Sequence, residues 1–163
     1  MNKDQSLVIY TDGASRGNPG PAGIGVVIFG SGGETLAEES VYIGEATNNV
    51  AEYRAFLLAL QKAREMKATK IHVLTDSELL YRQMRGLYRV RDAKLVPLFN
   101  EAMSLSRDFQ DLRLQHVLRS ENKRADFLAN LAVDAGVQGS VAGQKGEDRS
   151  SIFPNRHLGK NDG

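Results

Sequence analysis

The sequence predicts an α/β domain in which a mixed sheet carries helices on its faces. Two observations lead there. Strand-length apolar runs alternate with longer stretches of helical spacing, in the order strand, strand, strand, helix, strand, helix, helix, strand, helix. The first three strands are joined by short connections rich in Gly or Pro, which fits an antiparallel meander.

Leu7-Val8-Ile9-Tyr10 is apolar without interruption, the pattern of a strand covered on both faces, and it runs straight into Thr11-Asp12. The segment from Gly13 to Pro21 is dense in Gly and Pro and reads as a shaped loop whose backbone can approach a ligand closely. Ile24 to Phe29 is a second strand, Ser31-Gly32-Gly33-Glu34 a hairpin turn, and roughly Thr35 to Ile43 a less apolar strand nearer an edge. Thr47-Asn48-Asn49 opens a long helix, Val50 to about Met66, with Val50, Tyr53, Leu57, Leu60 and Ala63 at helical spacing. Asn49 and Glu52 stand at the separation of a capping box.

Lys70 to Thr75 is the fourth strand, and Asp76-Ser77 begins a short helix to about Met84. Gly86 to Lys94 is a basic connection with an aromatic tip. Pro97 lies near the start of a helix reaching about Phe109, and Leu112 to Leu118 alternates as a half-exposed strand should. Ser120 starts a last helix to Ala135, with Phe127, Leu128, Leu131 and Ala132 as its apolar face. The globular domain is therefore expected over 1–136. Residues 137–163 are expected to form a polar tail, disordered or loosely docked, with Ile152-Phe153-Pro154 as the piece able to dock.

Composition narrows the function classes. The chain has 163 residues, enough for one domain with a real core, and a net charge of +1, so any nucleic-acid binding must come from a local patch. The absence of cysteine excludes disulfides, thiol catalysis and the usual zinc frameworks, which three scattered histidines cannot rebuild. No apolar run approaches membrane-spanning length, and the N-terminus lacks the layout of a signal peptide. A soluble, cytoplasmic monomer with no membrane contact and no implied protein partner is the expectation.

Four carboxylates fall at element ends. Asp12 follows the first strand, Glu52 opens the long helix, Asp76 follows the fourth strand and Asp126 lies early in the last helix. Each has an ordinary explanation taken singly: Asp12 as a turn cap, Glu52 and Asp76 as helix caps, Asp126 as a solvated face residue. In an α/β sheet, however, strand C-termini and the helix N-termini beside them gather at one edge. Carboxylates gathered there repel one another and shift upward in pKa unless cations neutralise them. Hard divalent ions with oxygen ligands do so, and a pair of them can activate water and stabilise the leaving oxygen of a phosphodiester.

Thr11-Asp12-Gly13 with Gly17-Asn18-Pro19-Gly20-Pro21, Thr47-Asn48-Asn49 ahead of Glu52, Thr75-Asp76-Ser77, and Asn122 followed by Asp126 resemble, in order, the motifs of type I ribonuclease H. The resemblance spans about Leu7 to Ala135. It implies a five-stranded mixed sheet, three strands antiparallel and then two parallel, flanked by helices. It also implies an endonuclease that hydrolyses the RNA strand of RNA–DNA hybrids with two Mg²⁺ or Mn²⁺ ions. Asp12, Glu52, Asp76 and Asp126 fall on the family's metal-binding carboxylates, and Asn18, Thr47, Asn48 and Asn49 on its nucleic-acid contacts. Short amides and a hydroxyl at a helix N-terminus suit phosphates, sugar edges and 2′-hydroxyls. Gly13, Arg16, Ser77, Glu78 and Asn122, within or beside the motifs, are further candidate contacts.

The chain departs from the family pattern in three places. The Gly-His-rich loop that often precedes the last helix is reduced to Leu118-Arg119-Ser120-Glu121-Asn122. His116 lies on the strand instead, and Arg119 is the better substitute, able to hold a phosphate or stabilise leaving charge but not to act as a base. A compact basic stretch with Arg82, Arg85, Tyr88, Arg89, Arg91 and Lys94 replaces the larger basic handle of some members; Arg85, Tyr88 and Arg89 are candidate DNA-strand contacts. Glu78 stands where glutamine is common.

Three rival readings fit the residues less well. A P-loop fails because no Lys-Ser/Thr follows the glycines and Gly23-Ile24-Gly25 lies inside a strand. A non-cleaving hybrid- or duplex-binding module sits poorly with four retained carboxylates. A DNA-directed nuclease of the wider superfamily sits poorly with Asn48-Asn49 and the Gly-Asn-Pro-Gly loop.

Overall fold

A computed structural model describes residues 5–142. The elements are β1 (Ser6–Ser15), β2 (Gly20–Gly30), β3 (Thr35–Ala46), α1 (Asn48–Glu65), β4 (Lys70–Thr75), α2 (Glu78–Met84), α3 (Val96–Ser106), β5 (Asp111–His116) and α4 (Lys123–Ala142), with a 3-10 turn at Arg119–Glu121 ahead of α4. The strands form one sheet in the order β3-β2-β1-β4-β5, antiparallel from β3 to β1 and parallel from β1 to β5. This is the expected mixed sheet. No helix among the described residues is long and apolar enough to cross a membrane.

β1 is central because its sequence satisfies both faces of the sheet. Leu7 and Ile9 join the main core with Tyr53, Phe56 and Leu60 of α1. Tyr10 packs on the smaller cluster of Val27, Ala125 and Leu128, and meets Phe29 edge-on. Burying each large side chain contributes roughly 1.5–3 kcal/mol, so the uninterrupted apolar run fixes β1 between two layers.

The two neighbours of β1 part company at the functional end. The parallel pairing with β4 stops at Thr11 opposite Thr75, whereas the antiparallel pairing with β2 continues to Ser15 opposite Ala22. Asp12 and Asp76 are the next residues on the two strands, at the fork. This corrects the expected end of β1 at Asp12. The Gly/Pro segment read as one loop is mostly ladder, with Arg16–Pro19 as the turn between β1 and β2, because extended glycines on paired strands still make backbone hydrogen bonds.

The last helix departs from expectation more widely. It begins at Lys123, not Ser120, and runs past Gly136 to Ala142, so the expected tail loses its first residues to α4. Residues 143–163, including Ile152-Phe153-Pro154, lie outside the described residues, as do residues 1–4. The face that α4 buries is Ala125, Leu128, Ala129, Ala132 and Val133, while Phe127 and Leu131 are exposed. The cause lies in β2. A Cβ on Gly25 would stand 2.2 Å from the Ala125 carbonyl oxygen, and one on Gly23 would stand 2.5 Å from that of Ala129. The helix lies directly on the strand backbone, so alanines fill the closest contacts, Leu128 and Val133 pack beside them, and Phe127 and Leu131 are left outside. Gly136 is packed on β3: a Cβ there would sit 2.2 Å from the Tyr42 ring, and the helix runs through it.

Gly25→Ala is expected to lower unfolding free energy by about 1–3 kcal/mol, the usual cost of overpacking, read by urea denaturation. An unchanged midpoint would show that α4 has room to lift.

Candidate active site

Thr47 and Ser77 decide which carboxylates are free for chemistry. The Thr47 side chain accepts from the Val50 amide and caps α1; that of Ser77 accepts from the Leu80 amide and caps α2. The expected Asn49–Glu52 capping box and the alternative of Asp76 as a cap are therefore corrected. A threonine and a serine at the first available position do the work, because a hydroxyl on an extended residue reaches the third amide of the helix. Glu52 lies a turn deeper in α1, where its Oε1 accepts from the Gly13 amide at 3.1 Å.

These constraints aim three acids at one point. One carboxylate oxygen each from Asp12, Glu52 and Asp76 lie within 4.8 Å of one another. Asp12 and Glu52 are only 4% and 5% exposed. Burial, then the charges of Glu52 and Asp76, hold the Asp12 pKa far above the carboxylate range. Burial and the Asp76 charge raise Glu52 likewise, with the Gly13 amide, Asp12 and Arg119 offsetting part of the shift. Asp126 stands beside Asp12 within hydrogen-bonding reach but outside the group of three. Its Oδ1 is 3.6 Å from Arg119 Nη2 and 3.2 Å from Asn130 Nδ2. All four acids thus gather at the fork, with Asp126 at the rim.

Clustered oxygens of this kind, with no thiolate or imidazole among them, suit hard divalent cations best. The nest opens into a cleft of about 520 Å³ whose wall includes Gly13, Arg16, Asn48, Asn49, Ser77, Glu78, Arg119 and Asn130.

The other sequence candidates divide. Asn48 and Asn49 stand at the exposed start of α1, and the Asn48 backbone N–H donates to Asn18 Oδ1 at 2.9 Å, tying the β1–β2 turn to that helix end. Glu78 is paired with Arg82 at 2.8 Å. Arg16 is bound to Asp134 and Asn130. Asn122 is 1% exposed and donates to the Thr11 carbonyl at 2.9 Å, so it ties the 3-10 turn to β1 and presents no surface for a ligand. Arg85, Tyr88 and Arg89 do not line the cleft. Arg85 lies over the Tyr81 ring and Arg82 over that of Tyr88, while Gln83 binds the Arg89 carbonyl and the Tyr53 hydroxyl, fixing this basic corner to the core. Asn130 was missed from sequence; its position four residues after Asp126 on a helix was the available signal.

An acid whose folded pKa is raised stabilises the fold only while protonated. Its contribution is complete below the unfolded value, 3.8 for Asp12, and is lost as pH rises through the folded value. Asp12→Asn removes that penalty. In EDTA the variant is expected to melt above the native protein at pH 8, the gap narrowing toward pH 4. Equal melting temperatures at pH 8 would contradict the strain.

Comparison with known proteins agrees with this fold. Residues 10–132 match the family model described as reverse transcriptase-like. A bifunctional protein of Mycobacterium tuberculosis is 44% identical over 83% of this chain and 38% of its own length. The ribonuclease HI of Halobacterium salinarum is 43% identical over 77% of this chain and 63% of its own. The chain therefore spans less than two thirds of these curated relatives. The crystal structure of the Halobacterium enzyme superposes with a TM-score of 0.77 at 42% identity, covering 80% of this chain and 98% of that one. LC11-RNase H1, isolated from compost and solved with an RNA/DNA hybrid, does so at 0.76 and 44% identity, covering 80% and 99%. On fold and motif order alike, the chain belongs to the ribonuclease H family.

Proposed function

We propose that this protein is an endonuclease that hydrolyses the RNA strand of RNA–DNA hybrids, using two Mg²⁺ or Mn²⁺ ions. One observation carries the reading: three acid oxygens that no cap employs converge within 4.8 Å in a buried nest. The hybrid bound by LC11-RNase H1 supports the substrate class.

Asp12, Glu52 and Asp76 would hold the metal, with Asp126 completing the set at the rim. When bound, such ions lower the pKa of a water and neutralise charge on the phosphate. The residues of the chain do the rest. Gly13 fixes the Glu52 oxygen, so the nest does not have to reorganise on loading. Asn48 and Asn49, at the open end of α1, present amide groups to phosphate and 2′-hydroxyl oxygens, the feature that marks a strand as RNA. Arg119, 78% exposed in its side chain, can swing onto a phosphate or the departing oxygen. For Arg85, Tyr88 and Arg89, which lie away from the cleft, the proposed role is contact with the DNA strand's backbone. We further propose that it acts as a monomer in the cytoplasm.

Labelled RNA–DNA hybrid, double-stranded RNA and double-stranded DNA, each with Mg²⁺, Mn²⁺ or EDTA, test the reading. Cleavage confined to hybrid RNA and abolished by EDTA is expected; binding without cleavage would make this a hybrid-binding module, and cut DNA a different nuclease. Asp12→Asn should reduce turnover by at least about 10³-fold, a loss on the scale of removing a principal catalytic group. For Arg119→Ala the expected loss lies in kcat more than in hybrid affinity, and an unchanged rate at saturating hybrid would remove Arg119 from the chemistry.

A further inference from the structure

Asp126 differs from Asp12 and Glu52 in how it is held. Asp12 and Glu52 are locked by burial, whereas the Asp126 side chain is 30% exposed and lies outside the tight group of three oxygens. Something must keep it turned toward Asp12. Arg119 is a poor candidate, since its guanidinium is 78% exposed and 3.6 Å away, and a solvated contact of that kind is weak.

Asn130 is the better one. It lies one turn along α4, and its Nδ2 donates both to the Asp126 main-chain oxygen at 2.9 Å and to Asp126 Oδ1 at 3.2 Å. The amide is itself held from the other side. Arg16 Nη2 donates to Asn130 Oδ1 at 3.3 Å and to its main-chain oxygen at 3.4 Å, while Arg16 Nη1 is anchored on Asp134 at 2.6 Å. A guanidinium has only donors, so it must face the amide oxygen, which turns the NH₂ toward Asp126. The order of the amide follows from chemistry. A line of contacts thus runs from the β1–β2 turn, through Arg16 and Asn130, to the fourth acid of the nest.

We propose that Asn130, oriented by Arg16, is a positioning residue that presets Asp126 for divalent cation binding. The proposal rests on the nuclease reading for its purpose, though not for its test. A side chain already ordered before the ion arrives loses less conformational freedom on binding, and such supporting hydrogen bonds govern metal affinity.

Calorimetric titration of the nucleic-acid-free protein with Mn²⁺ reads this directly. Asn130→Ala places the best helix former inside α4, so folding is not at risk, and circular dichroism melting in EDTA verifies it. Mn²⁺ affinity is expected to fall by about tenfold, in the range for lost supporting partners of metal ligands. In an Asp126→Ala background the same substitution should change nothing, because its effect passes through Asp126. Unaltered affinity in the native background, or an equal loss in both backgrounds, would overturn the proposal. The hybrid assay separates the two readings: if the native protein binds Mn²⁺ with this dependence on Asn130 but leaves hybrid intact, the nuclease fails and the positioning role stands. If it cleaves hybrid and Asn130→Ala binds Mn²⁺ normally, only the positioning role fails.

Discussion

Mutual repulsion among buried acids governs this structure. At an effective dielectric near 20, two carboxylates less than 5 Å apart repel by roughly 3–4 kcal/mol, and the nest holds three such groups within 4.8 Å. Unpaired buried charge on that scale is a large share of the stability of a single domain. Burial first, and then this repulsion, favours retained protons in the absence of metal, so Asp12 and Glu52 are both raised. A divalent cation relieves it without protons. The acid arrangement is thus costly by itself and consistent when loaded.

The surrounding fold removes the cheaper ways out. The fork between β4 and β2 sets Asp12 and Asp76 side by side one residue beyond the last parallel pair. Thr47 and Ser77 take the capping duties that would have drawn Glu52 and Asp76 toward helix ends. The glycines of β2 let α4 settle onto the strand backbone, which brings Asp126 down to the rim of the nest. Packing, capping and strand register therefore converge on one electrostatic arrangement.

Much of this was legible in the sequence. β4 was read at its observed bounds, because Lys70 to Thr75 is a short apolar run between clear breaks. The four acids were found because each stood at an element end. What misled were residues whose role depends on what lies opposite them. Gly13 and Gly20 have loop composition but sit on paired strands. Asn49 and Glu52 have capping-box spacing, yet Thr47, two residues earlier, takes the cap. Phe127 and Leu131 are apolar at helical spacing, but the face of α4 that lies on the β2 glycines is that of Ala125, Leu128, Ala129, Ala132 and Val133. The helix was expected to end at Ala135 because the composition turns polar from Gly136 onward, whereas the partner that Gly136 packs on, Tyr42, is distant in sequence.

The central claim is that a divalent ion belongs among Asp12, Glu52 and Asp76. Crystals soaked in Mn²⁺ and measured for anomalous scattering test it most directly. A strong peak bonded to oxygens of all three acids is the predicted result. No peak at the nest under conditions that fill ordinary acidic sites elsewhere on the protein would contradict the account.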